Sequence, residues 1–446
     1  MPVPAEPSTP EFPENWPRER IARHQAERLQ SLLRHVAEHN PFWQRRFYQA
    51  GLDPNDIRTP KDLQRLPTLT KADLVDDQQA HPPYGSNRTV GARFVRLHQT
   101  SGTTTGRPLR WLDSARNWDW FMHCWAQIYR VAGVRDDDRL CFAFSFGPFI
   151  GFWAAFEAAT RLGRFSLAAG GLSSAGRLQL IEDNRVTVVC CTPTYALRLA
   201  DVAAEMGFDL RGSTVRALIV AGEPGASLPS VRRRIEDAWA ARLFDHWGMT
   251  EIGSLAIECA ENPGGMHLLE TECIAEVLDP QSLQPVTDGV GELVVTNLGR
   301  IDAPLIRYRT GDLVRIDRRP CPCGRSLLRL DGGILGRADD MLIIRGNNVF
   351  PATFEALLRE IPEVAEFRID VDTTGRMPQV TVTVEPHAAG DGGSPQPPPP
   401  HPLAHRVREH IKARLNFYVE VRVVPPGTLP RFEMKGRRFF RTPSED

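Results

Sequence analysis

Residues 186–193 read VTVVCCTP, and residues 215–223 read VRALIVAGE. Each run is short, rich in β-branched residues and closed by proline or glycine. A strand with one wet face would alternate apolar and polar residues. These runs do not, so they read as strands buried on both faces. GELVVTNL, residues 291–298, reads the same way. Helical stretches accompany them, at 178–184 and 195–206. Alternation of buried strand and helix implies an α/β protein. Nearer the start, Leu29, Leu32, Leu33 and Val36 recur at helical spacing within residues 17–39.

The pattern changes after Gly336. MLIIRGNNVFP and QVTVTVEP read as strands, with Val380, Val382 and Val384 alternating with threonines. PLAHRVREHIKARL places Leu403, Val407, Ile411 and Leu415 on one helical stripe, and VEVRVVPPG reads as a last strand. The result is a small α+β unit of about a hundred residues. AGDGGSPQPPPPHP, residues 389–402, cannot bury apolar surface and reads as a loop within it.

Composition narrows the partners. The 446 residues carry a formal net charge of −1, which gives no reason to expect nucleic acid or an anionic membrane. No apolar run approaches the roughly 18 residues of a membrane span, and the proline-rich start is no secretory signal. The expected address is the cytoplasm, where eight cysteines would stay reduced and clustered ones point to metal before disulfide. Cys259 and His267, spaced C-x7-H, and Cys321 and Cys323, in CPCGR, form such a set. Thiolates and imidazole suit structural zinc, and four ligands leave no open position for catalysis. Cys190 and Cys191 sit inside a strand pattern and read as core.

Residues 99–108, QTSGTTTGRP, are dominated by Ser, Thr and Gly. They lack the lysine pattern of the Walker loop. Small residues still let successive N–H groups converge on an anion, and the hydroxyls of Ser101, Thr103, Thr104 and Thr105 add donors. Four more stretches follow in order: DHWGMTE at 245–251, RYRTGD at 307–312, GRADDMLIIRGNNVFP at 336–351, and LPRFEMKGRR near the end. Together they resemble the adenylate-forming superfamily, above all phenylacetate-CoA ligase and its relatives. AERLQSLLRHVAEHNPFWQRRF and LPTLTKADL extend the resemblance toward the amino terminus.

The resemblance implies a two-step reaction. A carboxylic acid attacks ATP to give an acyl-adenylate and pyrophosphate, and a thiol, usually coenzyme A, then displaces AMP. It implies that Thr100, Ser101, Gly102, Thr103, Thr104, Thr105 and Gly106 cover the β- and γ-phosphates. A third threonine is inserted here before Gly106, and Arg107 stands where phenylacetate-CoA ligases carry lysine. Gly222, Glu223, Pro224 and Asp245 correspond to the adenine wall. His246, Trp247, Gly248 and Met249 continue it, with Trp247 where the family usually has tyrosine. Thr250 corresponds to the hydroxyl on the α-phosphate, and Glu251 to the carboxylate beside Mg²⁺. Asp312 would accept from the ribose, and Arg337 would reach ribose and phosphate. Asp339 corresponds to the hinge, so the resemblance implies a large multi-sheet amino-terminal unit, 1–338, and a small mobile α+β unit, 339–446. Lys435 is the lysine that inserts for adenylation, and Gly346 the glycine that later faces the thiol.

CFAFSFGPFIGFW, residues 141–153, corresponds to the border of the acyl pocket. Phe146, Phe149 and Trp153 would form an apolar wall suited to an aromatic acid, with His246 and Tyr195 as further candidates. The expected partners are a small carboxylic acid, ATP and CoA, with a homodimer allowed for. A non-CoA acceptor is the competing reading. A nucleotide-binding protein without catalysis fits poorly with Thr250, Glu251, Asp312, Arg337 and Lys435 all present.

Overall fold

The computed structural model describes residues 11–100, 108–340, 342–344, 347–373, 378–387, 401–432 and 435–442. Ser101, Gly102, Thr103, Thr104, Thr105, Gly106, Gly346 and most of the proline-rich segment lie outside the described residues. The chain opens with α1 (Arg18–His39), α2 (Pro41–Ala50) and α3 (Lys71–Ala80). α1 buries Leu29, Leu32, Leu33 and Val36, the stripe expected from their spacing. A hairpin of β1 (Phe94–Gln99) and β2 (Arg110–Ser114) follows.

Helices and strands then alternate: α4 (Ala115–Val131), β3 (Arg139–Phe142), α5 (Trp153–Arg161), β4 (Phe165–Ala168), α6 (Ser174–Asp183) and β5 (Val188–Cys191). α7 (Pro193–Glu205), β6 (Ala217–Ala221), α8 (Pro229–Trp239) and β7 (Arg242–Met249) complete the run. β4, β3, β5, β6 and β7 lie side by side, all parallel. Side chains alternate across them. Val188, Cys190, Ile219 and Phe244 enter one core, while Val189, Cys191, Leu218 and Leu243 enter another. Both faces are buried, which is why the sequence shows unbroken apolar runs.

Beyond β7 the chain adds β8 (Gly253–Glu258), β9 (Gly265–Leu268), β10 (Cys273–Leu278), β11 (Val290–Asn297), β12 (Tyr308–Asp317), β13 (Arg329–Asp331) and β14 (Gly336–Arg337). They extend the same sheet in the order β7-β8-β9-β13-β12-β11-β10, each neighbour antiparallel, with β14 beside β12.

The remainder holds β15 (Leu342–Ile344), β16 (Asn347–Val349), α9 (Pro351–Arg359), β17 (Val364–Asp372), β18 (Gln379–Pro386), α10 (His401–Leu415), β19 (Glu420–Val423) and β20 (Phe439–Thr442). Their core is their own, and every residue in it lies between Leu342 and Phe439. Val380, Val382 and Val384 point into it from β18, and Val407 and Ile411 from α10. Two details differ from the sequence reading. Within MLIIRGNNVFP, β15 and β16 are two strands paired antiparallel rather than one strand. VEVRVVPPG is not the last strand, because β20 follows and pairs in parallel with β17. RRFFRT is flanked by charge and only half-buried, so its strand comes from pairing rather than from its own apolar pattern.

Candidate active site

The carboxyl ends of parallel β6 and β7, where α/β sheets place their ligands, lead into Gly222–Pro224 and Thr250–Glu251. β1 and β2 hold the QTSGTTTGRP loop between them. At its base the Thr100 N–H donates to Leu109 O at 2.9 Å, and the Leu109 N–H donates to Thr100 Oγ1 at 3.0 Å. β7 and β8 meet in a tight turn that carries Thr250 and Glu251. Gly248 makes that turn feasible, since a Cβ there would lie 2.6 Å from Gly253 O. Half-buried Met249 packs on the first core just before it. Glu251 is buried, and its carboxylate lies 3.6 Å from Lys71 Nζ in the first turn of α3. Lys71 is held there by the stretch before it. The Leu69 N–H donates to Arg307 O, and the Arg309 N–H donates to Leu69 O. Sequence reasoning missed this cation, although LPTLTKADL contains it.

Asp312 sits on β12 opposite Arg337 of β14. It accepts from Trp247 Nε1 at 2.8 Å and from Arg337 Nη1 at 3.2 Å. Burial pushes its carboxyl up to about 6, with the Arg337 charge and the Trp247 hydrogen bond opposing. Trp247 therefore does more than offer a ring face: its indole N–H fixes the carboxylate. Arg337 also grips Asp339 through Nε at 2.9 Å and Nη2 at 3.1 Å. Burial opposes its charge, but the Asp339 hydrogen bonds and the charges of Asp312 and Asp339 raise its pKa overall. Asp245 stands on β7 beside Glu258, and burial followed by that like charge pushes its carboxyl up to about 8.

Lys435 reaches the same cleft from the carboxy-terminal unit. A Cβ on Gly222 would lie 3.0 Å from Lys435 Cε and 3.7 Å from Nζ, and Gly222 has φ +99°. Glycine is thus required twice over, for conformation and for the passage of the lysine stem. Glu223 fastens the neighbouring backbone, accepting from Gly436 N–H at 2.7 Å and from Thr194 N–H at 2.8 Å. Arg438 Nη1 donates to Thr194 Oγ1 at 3.1 Å. The residues beside Lys435 remove enough water to lower its pKa, although the residue stays partly exposed; the charges of Glu223, Glu251 and Asp312 act the other way. Gly222 and Pro224 are exposed around it.

The aromatic stretch forms a continuous wall. Phe146 packs against Phe144 at 4.4 Å and against Trp153 at 4.7 Å between ring centroids, and Phe149 stands 6.5 Å from Phe144. Phe152 joins Phe144 to Trp125, whose ring lies 4.6 Å from His246. His246 Nδ1 is 2.7 Å from Ala256 O. A carbonyl can only accept, so Nδ1 carries the proton and Nε2 the lone pair. Burial lowers the His246 pKa to about 4, so the ring is neutral at neutral pH. Tyr195 is not brought to this wall. It is fully buried in the second core, with its hydroxyl 3.0 Å from Ser174 Oγ and Arg177 over its ring.

A second cluster lies at the β9–β13 pairing, where His267 is opposite Arg329. That pairing carries the CPCGR loop to the end of β8. The side-chain donors of Cys259, His267, Cys321 and Cys323 all lie within 4.8 Å of one another. Cys259 and Cys321 Sγ are 3.7 Å apart, and Cys323 Sγ is 3.3 Å from His267 Nε2. Two thiolates on a tetrahedral ion at about 2.3 Å would be about 3.8 Å apart. His267 Nδ1 lies 3.3 Å from Leu327 O, which leaves Nε2 facing the thiols with its lone pair. That backbone partner is the usual support for a ligating histidine. Cys190 and Cys191 are buried core residues, as expected.

Residues 58–299 match the family described as AMP-binding enzyme, and residues 346–442 match AMP-binding enzyme C-terminal domain. The phenylacetate-coenzyme A ligase of Thermus thermophilus is 33% identical over 434 residues, 94% of this chain and 96% of that one. The chain belongs to the phenylacetate-CoA ligase-like family of AMP-binding enzymes. Two solved structures then place the arrangement of this AMP-binding enzyme. A 2-hydroxyisobutyryl-CoA ligase in the postadenylation state, in complex with 2-HIB-AMP, matches at TM-score 0.90 and 30% identity, covering 98% of this chain and 94% of that one. The same ligase with 2-HIB-AMP and CoA, in the thioesterification state, matches at TM-score 0.72 and 31% identity over 96% and 91%. The two identities are nearly equal, so the gap reflects arrangement. In arrangement the chain is more similar to the first of these structures than to the second.

Proposed function

We propose that this AMP-binding enzyme activates an aromatic carboxylic acid with ATP and transfers the acyl group to coenzyme A. The enzyme is of the AMP-forming acid–CoA ligase class, as its family is. The observation that carries the reading is the approach of Lys435, Glu251, Asp312 and Arg337 to one cleft from separate parts of the chain. In the first step a carboxylate oxygen bonds to the α-phosphorus, and the bond to pyrophosphate breaks. Two anions meet, so fixed cations and N–H donors must offset their repulsion. Lys435 supplies charge toward the α-phosphate and carboxylate, Thr250 a hydroxyl donor, and Arg337 a second cation. Asp312, held by Trp247, orients the ribose, while Asp245 and the Gly222–Pro224 stretch face adenine. Glu251 offers hard oxygen to Mg²⁺, which would neutralise phosphate charge. In the second step the CoA sulfur bonds to the acyl carbon, AMP leaves, and the thiol proton is lost.

We take 1–338 and 339–446 as the two working units, the cytoplasm as the site of action, and the cysteine–histidine cluster as a structural zinc site. Among the described residues no helix is long and apolar enough to cross a membrane. The acid is read from Phe146, Phe149 and Trp153, with neutral His246 at the end of the wall. Arylacetic and benzoic-type acids should release pyrophosphate from ATP faster than acetate or long fatty acids. The assay is a panel of acids, with AMP and thioester measured with and without CoA. A long-chain acid as best substrate would overturn the pocket assignment. Failure of every acid to release pyrophosphate would overturn the function, and AMP formed without thioester would redirect it to another acceptor.

A further inference from the structure

We propose that Arg300 is a positioning residue for adenylation: it fixes the hairpin under the phosphate loop against the Thr250–Glu251 turn. The inference rests on the function proposed above. Arg300 and Asp113 are both fully buried, and they pair bidentately. Nε donates to Asp113 Oδ1 at 2.8 Å, and Nη2 donates to Asp113 Oδ2 at 2.8 Å. The remaining nitrogen turns the other way. Nη1 donates to Thr250 O at 2.8 Å and to Glu251 O at 2.7 Å. Trp111 and Phe121 flank the guanidinium, their centroids 5.0 Å and 5.1 Å from its carbon.

Those contacts join parts that the β-ladders leave unconnected. Asp113 lies on β2, which with β1 flanks QTSGTTTGRP and, among the described residues, forms a two-stranded sheet apart from the large one. Thr250 and Glu251 lie at the turn between β7 and β8 of the large sheet. A loop on the β- and γ-phosphates and a hydroxyl on the α-phosphate must hold one triphosphate in a single geometry. Without a shared strand, the spacing between them depends on side chains. Arg300 bridges it with four hydrogen bonds in a rigid planar fork, a pattern that lysine, a point charge with three rotatable donors, cannot reproduce.

The pyrophosphate-releasing step needs both elements, because β- and γ-phosphates are present only there. Thioester formation from a supplied acyl-adenylate does not need the phosphate loop. Arg300→Lys should therefore slow acid-dependent pyrophosphate release about tenfold or more, since small displacements in a reacting geometry carry costs of that size. It should also raise KM for MgATP and leave KM for the acid nearly unchanged. Thioester formation from acyl-adenylate should stay within a few-fold. The ratio of the two half-reactions in one preparation does not depend on the fraction folded, so it separates positioning from mere stability. Asp113→Asn keeps the side-chain volume and removes the charge. It should shift the ratio in the same direction, and it decides the matter if Arg300→Lys fails to fold. An unchanged ratio in the folded variants would overturn the proposal. A wild-type enzyme that releases no pyrophosphate would instead overturn the function on which it rests.

Discussion

Lys435→Ala should nearly abolish acid-dependent pyrophosphate release while sparing the thioester step. In this structure the lysine stem passes over Gly222, and the charges of Glu223, Glu251 and Asp312 act to keep it protonated. Loss of a charge aimed at the adenylation transition state should cost on the order of 3–4 kcal/mol, or roughly 10²–10³ in rate. The second step starts from an acyl-adenylate that no longer carries pyrophosphate, so it should stay within a few-fold. We attribute the separation to two orientations of the carboxy-terminal unit, turning near Asp339 as a rigid body. A solved relative exists in two arrangements, and this chain matches them unequally, at TM-scores of 0.90 and 0.72. Among the described residues, hydrogen bonds from Gly436 to Glu223, from Arg438 to Thr194 and from Ser230 to Ala356 help hold the present arrangement. Asp339→Pro should do the reverse of Lys435→Ala, because it stiffens the hinge and removes a partner of Arg337. Rapid-quench measurement of each half-reaction decides the matter. Equal slowing of both steps by Lys435→Ala would remove the lysine's special tie to adenylation.

The sequence makes the sheet legible because β5, β6 and β11 are buried throughout or nearly so, and double burial leaves unbroken apolar runs. The small unit is legible through the opposite pattern, the alternation of Val380, Val382 and Val384. The ordered motifs point to Asp312, Arg337 and Lys435 through family resemblance. Pairing is what a single sequence withholds. Arg300 and Asp113 are 187 residues apart, and each alone reads as an ordinary surface charge. Lys71 finds Glu251 only because Leu69 docks on β12. Tyr195 shows the same limit from the other side. An aromatic residue in the first turn of α7 can face either core, and the Ser174 hydroxyl and the Arg177 guanidinium hold it in the second. The halves of the cysteine–histidine set come together through the β9–β13 pairing, which no local spacing encodes.

Protein purified without added metal should carry close to one zinc per chain, and Cys321→Ser should lower both zinc content and stability. Cys259 and Cys321 Sγ, and Cys323 Sγ and His267 Nε2, lie near tetrahedral-edge separations, and all four donors lie within 4.8 Å of one another. Their chemistry, three thiols and an imidazole whose other nitrogen is turned to Leu327 O, suits zinc better than a hard cation. The site would tie the end of β8 to the CPCGR loop, a stretch with little regular structure of its own. Loss of such a tie should cost roughly 3 kcal/mol, the size of effect seen when a structural metal or disulfide is removed. Catalysis should be affected far less. β8 runs from Gly253, beside the Thr250–Glu251 turn, to Glu258, about 17 Å at about 3.3 Å per residue. Four protein ligands also leave the ion no position for substrate. At a temperature where Cys321→Ser remains folded, its pyrophosphate release should be close to wild type, while its thermal midpoint falls. Acidification should release the zinc, since thiolates and imidazole take up protons in competition with the metal. Full zinc retention by Cys259→Ser would sink the four-ligand site, and absence of zinc from the wild-type protein would leave the cluster as buried thiols packed around a neutral histidine.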